Sequence, residues 1–193
     1  MFFLRSALLA IFVIFFTGCA SLGQMQAAVT EIDDFWGQTN RKILAEKGSK
    51  ILPVPVDRAV SAVRAAAASL GFTEQPSNLV NVLRFKAKSP TPFSEEEYKK
   101  IRIVEEPIMQ AMASTHVGSM TSSFFVLTSS DTNTSLEVRL SPQGSENTLA
   151  SLAFSLEWIK GNKQSGLLLG TQPPPEAVRR GIDKFWGSVF RSI

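Results

Sequence analysis

A short apolar run near the N-terminus limits how much of this chain can belong to a folded domain. Ten of the eleven residues 6–16 are apolar, and Arg5 precedes them. As a helix this run is about 16 Å long, too short for the hydrocarbon core of about 30 Å that a membrane-spanning helix must cross. The small residues 17–21 follow, which completes the layout of a secretory signal peptide. We therefore expect residues 1–18 to be removed.

Cys19 is the only cysteine in the chain, and it directly follows Gly18 at the end of the apolar run. This arrangement resembles the lipobox of bacterial lipoproteins, although Phe16 stands where the commonest pattern has Leu, Val or Ile. The resemblance covers the leader and the cysteine only. In that family the leader is cut before the cysteine, the thiol is diacylated and the new amino group is usually acylated too. It implies stable membrane attachment through acyl chains such as palmitate on Cys19; the alternative is a secreted protein with one unpaired thiol.

The residue after the cysteine bears on the destination. In lipoproteins of two-membrane bacteria, an Asp at this position retains the protein in the inner membrane. Ala20 stands there instead. The resemblance therefore implies the periplasmic face of the outer membrane, if the source has two membranes.

The charge balance gives no reason to expect nucleic acid as a partner. The chain has 20 Lys and Arg against 17 Asp and Glu, and Arg5 leaves with the leader. Phosphate recognition needs a concentrated basic patch. A nearly even balance of positive and negative side chains does not indicate one. The partners we expect are the membrane, reached through Cys19, and a protein of the cell envelope.

Three stretches have the apolar spacing of helices. Residues 24–50 form an N-terminal helical segment, interrupted or bent near Gly37. Residues 58–70 form the most regular helix, with Asp57 as its cap and Gly71 at its end. The last helix follows residues 173–175, three prolines that start a helix or, alternatively, bind an aromatic groove of a partner. Its stripe is Val178, Ile182, Phe185, Val189 and Ile193.

The region 89–120 is harder to interpret. Ser94 and Glu97 have the spacing of a capping box, which favours a short solvated helix. Residues 101–104 continue that helix or form a strand, and Pro107 can restart a helix. The periodicity does not decide between these structures.

Strand patterns occupy the remaining segments. Residues 51–56 form an edge strand or a strand entry, because their prolines do not fit a central strand. Residues 79–88 form a strand with a bulge near Val82, where the apolar face changes sides. Three further strands, 122–128, 135–140 and 149–159, are predicted to form an antiparallel meander, and the last also fits a helix.

The order of these elements predicts an α+β fold, in which helices pack on one face of an antiparallel sheet. A lipidated tether, residues 19–23, and the N-terminal helix precede the sheet. Residues 51–193 then form the α+β periplasmic domain, resembling small periplasmic lipoprotein domains in layout only.

An internal similarity links the two ends of the expected domain. Residues 32–43 and 182–193 share seven identities in twelve positions, which include Phe35, Trp36, Phe185 and Trp186. Both segments could dock an aromatic pair into equivalent grooves, present it to a membrane or partner, or agree by chance. These four rings are the candidate partner contacts.

No residue pattern specifies a reaction. His116 is the only histidine, which excludes a multi-histidine metal site in one chain and leaves one candidate for a catalytic triad. Glu105 and Glu106 are adjacent, but neighbouring side chains point in different directions. We therefore expect no catalytic residue, no cofactor and no metal site.

These features predict a membrane-anchored envelope lipoprotein that is not an enzyme and acts as an accessory or interaction subunit of an envelope complex. The alternative is a module that binds a lipid or a cell-wall fragment in a groove between helices and sheet. An apolar cavity above about 300 Å³ would support that alternative, and a fully packed core would count against it. Enzymatic activity, the third hypothesis, requires polar groups that converge near His116.

Overall fold

The computed structural model describes residues 20–128, 132–158 and 172–193, and these form an α+β fold with four helices and one five-stranded antiparallel sheet. The α+β prediction is confirmed. The predicted signal peptide and Cys19 lie outside the described residues. The elements are α1 (Leu22–Lys47), β1 (Ser49–Leu52), α2 (Val56–Ser69), β2 (Thr73–Gln75), β3 (Val82–Lys88), α3 (Glu95–Ser122), β4 (Thr132–Gln143), β5 (Asn147–Trp158) and α4 (Pro175–Ser192).

The sheet has the strand order β1-β5-β4-β3-β2, and every neighbouring pair is antiparallel. The meander prediction is confirmed for β4 and β5. The edge strand predicted for residues 51–56 is observed as β1 at the edge of the sheet, but it ends at Leu52, before the prolines, and Val56 already belongs to α2. One face contributes apolar side chains to the core, among them Leu136 and Val138. The alternate positions carry cross-strand ion pairs, including Arg84 with Glu137 at 3.0 Å. This alternation gives the sheet one apolar and one polar face.

The strand predicted for residues 79–88 begins only at Val82, and the bulge prediction is wrong. Asn81 has a positive φ of 58° and ends the loop between β2 and β3. Val80, 88% exposed, belongs to that loop. The change of apolar face therefore marks the boundary between loop and strand.

The strand predicted for residues 122–128 is absent. Ser122 ends α3, and residues 125–128 have no regular structure. Both neighbours of β4 are already strands, β3 and β5, so this apolar segment has no place beside it. It packs against helices instead.

Helix α1 runs without interruption through Gly37, so the predicted bend is not observed. It begins at Leu22, inside the segment expected to be tether. Ser21 and Gln24 form a capping box: the Ser21 hydroxyl accepts from the Gln24 N–H at 3.2 Å, and the Gln24 side chain accepts from the Ser21 N–H at 2.8 Å. Such reciprocal bonds satisfy backbone donors that have no partner inside the helix.

Helix α2 ends as predicted but starts differently. Pro55 occupies the cap position and Asp57 lies in the first turn, so the prediction that Asp57 is the cap is wrong. At the other end Gly71 has a φ of 87°, and the Gly71 and Phe72 N–H groups donate to the carbonyls of Ala68 and Ala67. This Schellman motif needs a left-handed residue, for which glycine has no steric cost.

The region that the sequence leaves open is mostly one helix, α3. The Ser94–Glu97 capping box is confirmed, with bonds of 2.9 and 3.2 Å. The helix continues through Pro107, and it bends at Gly118, which has a φ of 76°. The last turn of α3 therefore departs from the direction of the rest.

The interior divides into two apolar clusters. The first core joins the sheet with α2 and α4, and it contains the fully buried Val63, Leu136 and Ile182. The second core joins α1 with α3, through Ala28, Ile32, Trp36, Met109, Ala113 and Val117. The C-terminal half of α1 also reaches the first core through Ile43.

The four aromatic rings of the internal similarity do not occupy equivalent environments. Phe185 and Trp186 are buried in the first core, with ring centroids 5.3 Å apart. Trp36 is buried in the second core, whereas Phe35 is 43% exposed. Of the four candidate partner contacts, only Phe35 offers substantial surface.

We predict that Phe185→Ala lowers the free energy of unfolding by about 3–5 kcal/mol, because it leaves a large cavity in a packed core. Phe35→Ala, the same substitution at the matching position of the other segment, should cost well under about 1 kcal/mol. Urea denaturation of the purified protein measures both. Equal losses would contradict the different environments of the two rings.

Candidate functional site

A cavity of about 300 Å³ lies between α1, α3 and the segment of residues 124–128. One wall is a stripe of α1 at helical spacing: Met25, Val29, Ile32 and Trp36. The facing wall is residues 124–127, all apolar. Met109, Leu156 and Pro174 complete the apolar lining. The segment wrongly predicted to be a strand thus forms one side of this cavity.

Side chains of α3 hold that facing wall in place. The Gln110 side-chain amide donates to the Phe125 carbonyl at 3.0 Å. The Leu127 N–H donates to the Glu106 carboxylate at 3.0 Å, and Arg102 donates to the same oxygen at 2.6 Å. Backbone groups outside a sheet need such partners when they are partly buried.

Few polar groups line the cavity. The Asp33 carboxylate accepts from the Gln172 N–H at 2.8 Å. Burial raises the pKa of Tyr98 to about 12, so its hydroxyl stays neutral at physiological pH. The Trp36 Nε1–H is buried and finds no hydrogen-bond partner within the described part of the chain. A buried donor left without a partner costs about 1–3 kcal/mol of stability.

A smaller cavity of about 40 Å³ adjoins the first and shares Tyr98, Thr132, Leu156 and Pro174 with it. Its hydroxyl groups bind one another. Thr132 donates to Ser89 at 2.9 Å, and Ser89 and Thr134 are 3.2 Å apart. It is large enough for ordered water but too small for an organic ligand.

The carboxylates of Glu105 and Glu106 have separate roles, as expected for neighbouring side chains, which point in different directions. Glu106 binds the cavity wall, whereas Glu105 is buried and accepts from the Glu176 N–H at 2.6 Å. Helix α4 has Pro174 at its cap position and no side-chain cap of its own. Glu105 therefore caps α4 from a different helix, and burial raises the pKa of its carboxyl.

We predict that Glu105→Gln changes how stability depends on pH. Because the folded-state pKa is raised, the stability contributed by Glu105 is fully present below the ordinary pKa of Glu and is lost as pH rises through the raised value. Glutamine keeps an oxygen acceptor for Glu176 but does not ionise. The free energy of unfolding of Glu105→Gln, relative to wild type, should therefore increase from acid to neutral pH. Glu146→Gln, at an exposed turn, is the control, and parallel curves for wild type and Glu105→Gln would contradict this prediction.

His116 lies at the surface contact between α3 and α1. Its Nε2 atom is 2.5 Å from the Glu31 carboxylate, and both side chains are partly exposed. Across residues 20–128, 132–158 and 172–193, no group of three or more His, Cys, Asp and Glu side chains could hold a metal ion. His116 thus bridges two helices, at the level of Ala113 and Val117 in the second core.

The sequence did not reveal the cavity. Met25 and residues 124–127 were not among the candidate site residues, and Trp36 was one only as a partner contact. The available signal was the run Phe124-Phe125-Val126-Leu127, which is apolar at every position. A half-buried strand would instead alternate apolar and polar residues.

In the described segments, no helix is both long enough and apolar enough to cross a membrane. No protein-family model matches the chain, and searches of curated proteins and of solved structures find no match. The inference of function therefore depends on the cavity, the surface and the N-terminal sequence.

Proposed function

We propose that this protein is a lipid-anchored envelope lipoprotein, not an enzyme, that binds a small apolar chain in the cavity between α1 and α3. The anchoring part of the proposal comes from the leader and Cys19, at the periplasmic face of the outer membrane where two membranes exist. The binding part comes from the structure. The apolar groups that suit the cavity best are a single acyl chain or a fragment of similar size.

The observation that carries the proposal is the combination of cavity size and apolar lining. A volume of about 300 Å³ is at the lower end of the range of small-molecule sites, about 300–1,000 Å³. Such sites are mostly apolar and have a few polar groups that fix orientation. The lining fits this description, because most of it is apolar and Tyr98, Thr121 and Thr132 are among its polar residues.

We predict that the protein, held in nanodiscs, binds a fluorescent analogue of decanoate, and that Val29→Phe weakens this binding at least about tenfold, the equivalent of 1.4 kcal/mol. The larger side chain fills space between the two cavity walls. Trp36→Phe keeps the ring but removes the donor, and it should weaken binding less. Equilibrium titration of fluorescence anisotropy measures each affinity.

Val80→Phe is the matched control, because it makes the same substitution on an exposed loop outside the cavity. Its affinity should equal that of the wild type. Unchanged affinity in Val29→Phe, with native circular dichroism, would contradict binding in this cavity.

A second candidate function is that of an accessory subunit. Ile103, 65% exposed, lies on α3 with the exposed Val104 and Ile108. Val104 and Ile108, four residues apart, share one face of the helix, and Ile103 lies about 100° around the helix from Val104. Exposed apolar groups that cluster in this way often mark protein contacts. This surface is separate from the cavity wall formed by α1.

We predict for this second function that a photo-crosslinker at Ile103 captures one envelope protein in intact cells. The substitution Ile108→Lys should remove that product, because a charge in an apolar contact must be desolvated. Val80→Lys is the control. Absence of any specific product at Ile103 would eliminate this surface as the contact.

A further inference from the structure

The start of α1 and the end of α3 meet at one end of the molecule. Glu31 of α1 contacts His116 of α3, and Met25 of α1 lines the same cavity as Thr121 and Phe124. Ala20, which precedes α1, packs against the second core that contains Val117. We call this end, residues 20–30 and 117–128, the α1–α3 end.

The α1–α3 end carries no charge. Neither residues 20–30 nor residues 117–128 include Asp, Glu, Lys, Arg or His, although 19% of the whole chain is charged. Three of its apolar side chains are well exposed: Leu22 at 61%, Met120 at 82% and Phe124 at 78%. Transfer of such a surface from water into an apolar environment is favourable, and the flanking ionisable residues, Glu31 and His116, lie just outside these ranges and contact each other.

The position of Cys19 indicates which apolar environment is available. Only Ala20 and Ser21 separate this cysteine from Leu22, the first residue of α1, and Ser21 is already fixed by its capping box. The three Cα–Cα steps from Cys19 to Leu22 span at most about 11 Å. An acylated Cys19 would therefore hold the α1–α3 end at the surface of the bilayer.

We propose that the α1–α3 end is a membrane-docking face, on which Leu22, Met120 and Phe124 enter the lipid interface. This inference rests on the proposed lipidation of Cys19. It also gives the proposed ligand a source, because Met25, Thr121, Phe124 and Phe125 belong both to this face and to the cavity lining. An apolar chain can then pass between bilayer and cavity without crossing bulk water.

The experiment places a spin label at each of three introduced cysteines, Leu22→Cys, Met120→Cys and Phe124→Cys, in the full lipidated protein on neutral phosphatidylcholine vesicles. All three residues are well exposed, so the substitutions leave the cores intact. The ratio of accessibility to oxygen over accessibility to a water-soluble nickel complex reports contact with lipid. We expect this ratio to be several-fold higher at the three sites than at Val80→Cys, an apolar position that is more exposed than any of them.

Because the α1–α3 end is uncharged, the ratio should change little with high salt or with anionic lipid, unlike docking through a basic patch. Equal ratios at all four positions would overturn the docking face. A ratio that depends on protein concentration and not on lipid would also overturn it, since it would assign the face to a second copy of the chain.

The wild-type protein separates these outcomes from a failure of the anchor. If Cys19 is acylated, it has no free thiol and takes up no label. Labelled wild type would show that the anchoring part of the proposed function is wrong, and the docking proposal would fall with it. Unlabelled wild type with equal ratios would remove the docking face alone and leave the anchor and the cavity in place.

Discussion

Helix α1 connects the two cores, and the cavity and the α1–α3 end both depend on how firmly it is held. Its C-terminal half is fixed to α4: the Trp186 indole donates to the Lys47 carbonyl at 2.9 Å, and the buried Asn40 amide donates to the Pro173 carbonyl at 2.8 Å. Its N-terminal half packs on α3 through Ala28 and Ile32. Buried hydrogen bonds are costly to break without replacement. The bonds of the C-terminal half of α1 therefore fix the position from which its N-terminal half extends.

The sequence predicted those elements whose burial follows a single period. Helix α4 and strand β5 each bury one regular stripe, so both were found close to their observed limits. The failures have a different cause. Residues 122–128 have strand composition but no free position beside β4, and Asp57 is preceded by a proline that takes the cap position. Both depend on the neighbours that the fold supplies, which composition and spacing do not encode.

The cavity could not be predicted from the sequence, for a related reason. A cavity is a relation between surfaces that are distant along the chain, here α1, residues 124–128 and the residues before α4. The internal similarity shows the same limit, because two similar segments have different surroundings in the fold. Phe35 and Phe185 occupy matching positions of similar segments, yet α4 packs against the other three helices and buries Phe185 in the first core, whereas Phe35 on α1 is 43% exposed.

The two proposed roles use different parts of α3. The last turn of this helix belongs to the α1–α3 end, whereas Ile103 and Ile108 lie toward its start. With a rise of 1.5 Å per residue, Ile103 is about 21 Å from Val117 along the part of the helix that precedes the bend. A domain docked through the α1–α3 end would therefore hold the exposed isoleucines well away from the bilayer, within reach of a protein partner. Because the proposed tether from Cys19 to α1 is so short, the domain could not move far from the membrane on it. Such a partner would therefore have to come to the membrane surface.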